Sequence, residues 1–153
     1  MCRSEDTERS FDLRLSANAP SVALGRRETG QPQRVVFAPY SEGEDRPKLT
    51  RATVIKTYTG DIEGEAHVEY LMMYRSDGSA SFVGLERVDG RVGDKTGSFV
   101  LQRTGTFENG QAKESYFVIP GSATGKLQGL RGDGSSTVGH GMEHAFTLDY
   151  ELA

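Results

Sequence analysis

From Arg34 onward, apolar and polar residues alternate with a period of two along most of the chain, the mark of strands with one buried face. Val35, Val36 and Phe37 form a short apolar run ended by Pro39, and a polar loop with Glu42, Gly43, Glu44, Asp45 and Pro47 follows. Residues 49–74 are rich in Thr, Val, Ile and Tyr. Within them Ala66, Val68, Tyr70, Met72 and Tyr74 share one face of an extended chain, and His67 and Glu69 share the other. Gly60 and Gly64 interrupt this stretch, as glycines do at turns, bulges and bends. Ser76-Asp77-Gly78 predicts a turn and residues 80–88 a strand. Asp89-Gly90 is the strongest two-residue hairpin signal in the chain. A strand over 97–107, a turn at Glu108-Asn109-Gly110 and a strand over 111–119 ending at Pro120-Gly121 come next. Residues 124–130 read as a short strand and 132–141 as a loose polar loop. Residues 145–152 close the chain, with Phe146, Leu148, Tyr150 and Leu152 alternating against Thr147, Asp149 and Glu151.

Residues 1–33 differ. They carry mixed charge and little sustained periodicity, apart from Phe11, Leu13 and Leu15, which alternate as a short strand would; the rest reads as loop or disordered extension. Helical periodicity over ten or more residues is absent from the whole sequence. Serial strands joined by short hairpins point to an all-β domain over 34–153, an up-and-down antiparallel barrel in which closure removes exposed edges. Several central strands are apolar on both faces: Phe82 with Val83 and Leu85, Phe99 with Val100 and Leu101, Tyr116 with Phe117, Val118 and Ile119. The expectation is that the outer face is covered by a second copy, in a homo-oligomer, or by the N-terminal extension.

Composition narrows the function classes. A chain of 153 residues fits one domain. Cys2 is the only cysteine, so neither an intrachain disulfide nor a cysteine-based zinc site can form. No apolar run approaches the ~20 residues a membrane helix needs, and no hydrophobic signal-peptide core follows the polar start, so the expected location is cytoplasmic. A net charge of −4 lacks the basic excess of a nucleic-acid binder.

Several blocks together carry a family resemblance: Tyr58-Thr59-Gly60-Asp61-Ile62-Glu63-Gly64, Glu69-Tyr70-Leu71-Met72, Ser81 to Val88, Gly97 to Gln102, Pro120-Gly121-Ser122 and Gly129-Leu130-Arg131-Gly132. In order and spacing they resemble the bacterial domain of unknown function 3224 from about Arg34 to the C-terminus. That family is similar to the allene oxide cyclase type of barrel. The resemblance implies a single closed barrel of eight antiparallel strands, usually oligomeric, and cofactor-free cyclase or isomerase chemistry on lipophilic, unsaturated substrates. The family commonly has histidine after the position of Gln102; here it is Arg103. With Arg103 turned inward, histidine acid/base chemistry is lost there and anion binding becomes available.

His140-Gly141-Met142-Glu143-His144 spells the H-x-x-E-H zinc pattern, which needs both histidines on one helix face. Gly139 and Gly141 and the strand beginning near Ala145 leave no room for that helix, so a polar turn is expected and no metal. Arg131-Gly132-Asp133 reads as a glycine turn, and Gly121 to Lys126 lacks the length and the Ser/Thr of a phosphate loop.

What remains is polar residues embedded in apolar strands. Glu86, in register with Phe82 and Gly84, would be desolvated on an interior face, with a raised pKa. Glu86 and Glu69 are the candidate acid/base groups; Tyr70, Tyr74, Gln102, Arg103 and Tyr116 are candidate substrate-binding groups. Against this stand plain structural roles: Glu86 pairing with an arginine across strands, Glu63, Glu65 and Glu69 as one solvated face, and tyrosines as ordinary strand formers. The functional expectation is an isomerase or cyclase folding a lipophilic substrate in a barrel cavity without a cofactor. The alternatives are a non-catalytic barrel carrying an apolar ligand, or a barrel filled by its own side chains.

Overall fold

The computed structural model describes residues 21–27, 34–41, 46–139 and 145–152. Among them are nine strands: β1 (Ser21–Arg27), β2 (Arg34–Ser41), β3 (Lys48–Gly60), β4 (Ile62–Tyr74), β5 (Ala80–Val92), β6 (Lys95–Glu108), β7 (Gln111–Val118), β8 (Arg131–Gly139) and β9 (Ala145–Glu151). A single 3-10 turn, Gly125–Leu127, interrupts the run from β7 to β8.

The all-β class holds, but the closed eight-stranded barrel does not form. Strands β3 to β9 make one antiparallel sheet in chain order, and its two outermost members, β3 and β9, do not pair with each other. Strand β2 adds outside β3, and β1 lies along β9 through six residue pairs. Only Arg26 and Arg27 of β1 reach β3, opposite Thr59 and Tyr58. The sheet is therefore curled but not closed by its own ladder. Among the described residues, strands β8 and β9 share three residue pairs in register, Arg131 to Asp133 against Glu151 to Asp149.

Aromatic rings resting on glycines produce the curl. Tyr70 lies opposite Gly84, Phe82 opposite Gly105, Tyr116 opposite Gly134 and Tyr150 opposite Gly132. A Cβ at Gly84 would stand 2.5 Å from Tyr70 Cδ1, and one at Gly134 would stand 2.5 Å from Tyr116 Cε2. Each missing side chain lets a neighbouring ring lie flat on the inner face, which bends the strands inward.

This explains where pattern reading went astray. Residues 132–139 were expected as loop because Gly132, Gly134 and Ser136 break the apolar alternation; they are β8, with the Tyr116 ring over Gly134 and the Tyr150 Cβ and Leu148 side chain against Gly132. Asp89-Gly90 is no hairpin turn but lies inside β5, Gly90 facing Gly64 and Gly97. The turn comes at Gly93, with φ of 60° and its N–H donating to the Asp61 carbonyl. Residues 124–130 hold the 3-10 turn in place of a strand, its Leu127 and nearby Leu130 buried. Part of the extension, β1, is a strand in the sheet; the Phe11–Leu15 pattern and His140 to His144 lie outside the described residues. The Asn109-Gly110 turn holds, with φ of 52° and 72°, as do the Ser76 to Gly78 turn and the inward set Phe146, Leu148, Tyr150.

The concave face holds the core. Ile62, Ala66, Val88, Phe99, Leu101 and Leu148 are all at most 1% exposed, each large side chain stabilising the fold by about 1.5–3 kcal/mol. The convex face carries Leu71, Val83, Leu85 and Phe117, each 41–53% exposed, with Leu71 directly opposite Val83. No helix among the described residues is long and apolar enough to cross a membrane.

Candidate functional site

Across the middle of the concave face runs a charged layer. Strands β3, β5, β6 and β7 each present an alternating apolar face broken by one ionisable residue: Lys56 between Val54 and Tyr58, Glu86 between Gly84 and Val88, Arg103 between Leu101 and Gly105, Glu114 between Ala112 and Tyr116. The curl brings all four together. Glu86 has no exposed surface and Arg103 has 1%.

Glu86 is the hub. It accepts from Arg103 Nε, from the Tyr58 hydroxyl at 2.7 Å, and pairs with Lys56 Nζ at 3.1 Å. Arg103 also donates to the Tyr58 oxygen at 3.1 Å and to Glu114 at 2.6 Å, and its guanidinium stacks 4.7 Å from the Tyr116 ring. Two cations therefore face two carboxylates, with a phenol relaying between Arg103 and Glu86. Such complete pairing is the condition for burying charge in a low-dielectric interior.

The electrostatics correct one expectation. Burial alone would raise the Glu86 pKa, but the charges of Lys56 and Arg103 and the hydrogen bonds from Tyr58 and Arg103 outweigh it. The carboxyl is held below its ordinary value and stays ionised. The perturbed acid/base group is Lys56: burial pulls its ammonium down to about 8, although Glu86 beside it pulls the other way. Burial, reinforced by the Glu86 charge, pushes the Tyr58 phenol well above its usual range. Burial lifts Tyr116 to about 12, with its hydroxyl donating to the Thr147 carbonyl at 2.6 Å.

Of the residues singled out from the sequence, Glu86, Arg103 and Tyr116 belong to this layer. Tyr70 lies beside it, half-buried, its ring edge-on to Phe82 at 5.4 Å. Tyr74 is further along the same face, its hydroxyl 3.6 Å from Met72 Sδ. Glu69 and Gln102 are elsewhere. Both are exposed on the convex face, Glu69 paired with Arg51 across β3 and β4 and Gln102 flanked by Leu85 and Phe117. Lys56, Tyr58 and Glu114 were missed, though each is legible as an inward-register residue with a polar group on an apolar face.

Glu114 keeps 18% of its side chain exposed and lines a shallow groove of about 580 Å³ with Phe82, Gly105, Thr106 and Ser136. The layer thus has a way to solvent at Glu114 and another at Lys56, which keeps 11% exposure. Among the described residues, no three His, Cys, Asp or Glu side chains converge as a metal site would require.

A family model described as protein of unknown function (DUF3224) matches residues 33–150. The chain belongs to this family. Within DUF3224, a crystal structure at 1.84 Å of a protein of unknown function from Shewanella oneidensis MR-1 shares 28% identity with a TM-score of 0.72, covering 88% of this chain and 98% of that one. No curated protein matches. These matches establish the DUF3224 membership read from the sequence and do not establish the likeness to allene oxide cyclases.

Proposed function

We propose that this DUF3224 protein is a cofactor-free isomerase or cyclase acting on a lipophilic small molecule, with Lys56 as its proton-handling group. The observation that carries the reading is the charged quartet itself, with Glu86 and Arg103 fully buried and Lys56 and Glu114 reaching solvent. A fold of this size gains little from four interior charges, since well-packed apolar residues would serve as well. Perturbed ionisable groups in a shared interior position are the pattern of reaction centres. Glu86, held ionised by Tyr58 and Arg103, can stabilise a cation that develops beside it, and the rings of Tyr70 and Phe82 offer an apolar wall. The likeness to allene oxide cyclases supports the reaction class by analogy only.

A second reading is favoured by the complete charge matching: the layer is satisfied without a substrate, as in a protein that binds an apolar ligand without changing it. Incubation with lipophilic epoxides and polyenes, followed by product analysis and by ligand-induced thermal shift, separates the two. Turnover that falls about a hundredfold or more in folded Lys56→Met supports the enzyme. Binding without turnover supports the carrier, and neither binding nor turnover ends both readings.

The exposed stripe of Leu71, Val83 and Leu85 supports a homo-oligomer. Val83→Ser with Leu85→Ser is expected to lower the mass seen in solution scattering while leaving the melting temperature nearly unchanged. A wild-type monomer would end this reading.

A further inference from the structure

Lys56 is the one member of the charged layer that can become a nucleophilic amine. Arg103 never loses its proton, and Tyr58 and Glu86 are locked to each other and to Arg103. The lysine stem runs along the concave face between Val54 and Tyr58, opposite Ala66, with its Nζ 5.2 Å from the Tyr58 ring centre and 3.1 Å from Glu86 Oε1. The side chain is 11% exposed, so the amine is desolvated without being sealed. A carboxylate counter-ion beside a desolvated amine is the arrangement that stabilises a protonated imine.

We propose that Lys56 captures the carbonyl carbon of an aldehyde or ketone as an imine, making carbonyl compounds the substrate class of the site. The neutral amine adds to the carbonyl carbon, forming the N–C bond and a carbinolamine. The C–O bond then breaks, and the oxygen leaves as water with both amine protons. A proton taken up from solvent water at the imine nitrogen gives an iminium that pairs with Glu86, already held anionic by Arg103 and Tyr58. In an unsaturated aldehyde this cation draws electrons from the conjugated double bond, which permits isomerisation about it. The step requires no oxidant and no cofactor.

The charged and titratable groups facing Lys56 among the described side chains are Tyr58 on its own strand, Glu86 on β5, Arg103 on β6 and Glu114 on β7; β4 offers only Ala66 and Val68 at that level. With its pKa about 8, roughly one Lys56 in ten is neutral at pH 7, against about one in 3,000 for an ordinary lysine. Lower basicity costs some intrinsic reactivity, so a labelling preference of about tenfold or more is expected.

The inference rests on the isomerase reading, and the test separates the two. The full chain is incubated with geranial, a lipophilic unsaturated aldehyde, at pH 7 with and without borohydride. Peptide mapping then locates the reduced adduct, and gas chromatography follows geometric isomerisation in the untrapped sample. The expected result is an adduct concentrated at Lys56 over Lys48, Lys95, Lys113 and Lys126, rising with pH through a midpoint near 8 and evenly spread once urea unfolds the chain. Equal labelling of all five lysines, or a midpoint near 10, overturns the imine. Isomerisation that persists without a Lys56 adduct sinks the imine and spares the isomerase. A Lys56 adduct without isomerisation does the reverse.

Discussion

Tyr58 and Glu86 stand two strands apart, on β3 and β5, yet the Tyr58 hydroxyl donates directly to Glu86 at 2.7 Å. The contact skips β4, where Gly64 faces Tyr58 and Ala66 faces Lys56, small residues that leave the path open. Removing the hydroxyl strips one donor from a fully buried carboxylate and leaves Arg103 Nη2 without its acceptor there. Tyr58→Phe is expected to cost about 1–3 kcal/mol in urea unfolding. An unchanged midpoint would mean that water replaces the phenol and that the layer is wetter than it looks.

Arg103 is the residue whose loss should hurt most, because it is bonded to both Glu86 and Glu114. Arg103→Met leaves Lys56 to balance two carboxylates, and a loss of about 3–5 kcal/mol is expected. Adding Glu86→Gln should recover part of that loss. Calorimetry on both single variants and the double variant gives the coupling, and simple additivity would contradict the network.

The lysine leaves a mark on the pH dependence of stability. Its folded value, about 8, lies below its ordinary 10.5, so between those limits the unfolded chain binds more protons than the folded one. The penalty of burying the ammonium is therefore complete below pH 8 and is relieved as pH rises toward 10.5. From pH 7.5 to 9.5 the wild type should gain about 1–2 kcal/mol relative to Lys56→Met. A parallel course for the two proteins would show that Lys56 keeps an ordinary proton affinity.

Glycines under rings should be far less replaceable than glycines in turns. Gly84→Ala drives a methyl into the Tyr70 ring and to 2.8 Å from the Glu69 carbonyl, so both a side chain and backbone must move. A Cβ at Gly110, with φ of 72°, meets nothing within 4 Å, and only its backbone conformation is strained. Gly110→Ala should cost about 1 kcal/mol and Gly84→Ala distinctly more, read as the difference in thermal midpoint. Equal losses would remove steric packing as the reason for Gly84.

The same glycines show why the sequence was legible in class and less so in closure. Period-two alternation exposes strands whose inner positions are apolar, so β4, β7 and β9 stand out. It hides β8, whose inner positions are Gly132, Gly134 and Ser136, because what fills them is the side chain of a neighbouring strand. An Asp-Gly pair signals a turn locally, but at Gly90 the lack of a Cβ serves a close approach to the Glu63 carbonyl, a relationship between distant residues. Register places Glu86 on a face with Phe82 and Gly84, and Arg103 on one with Phe99 and Leu101, but does not say which faces turn inward. Nor does it say that Glu86 would be ionised, because its state depends on Lys56, thirty positions earlier. Sheet closure depends on what the first and last strands meet, which alternation does not encode.

Gly97 has one more consequence. A Cβ there would lie 2.1 Å from the carbonyl oxygen of Thr124, while the Thr124 N–H donates to the Ser98 carbonyl. The loop after β7 is thus keyed to the only position in its stretch of β6 without a side chain. Sliding β6 by one residue would bring Thr96 or Ser98 under that carbonyl and collide, whatever its apolar pattern allowed. Alignment of the sheet's central strands is checked by a notch and tooth made of backbone, so an error of register is rejected by shape before hydrophobicity is consulted.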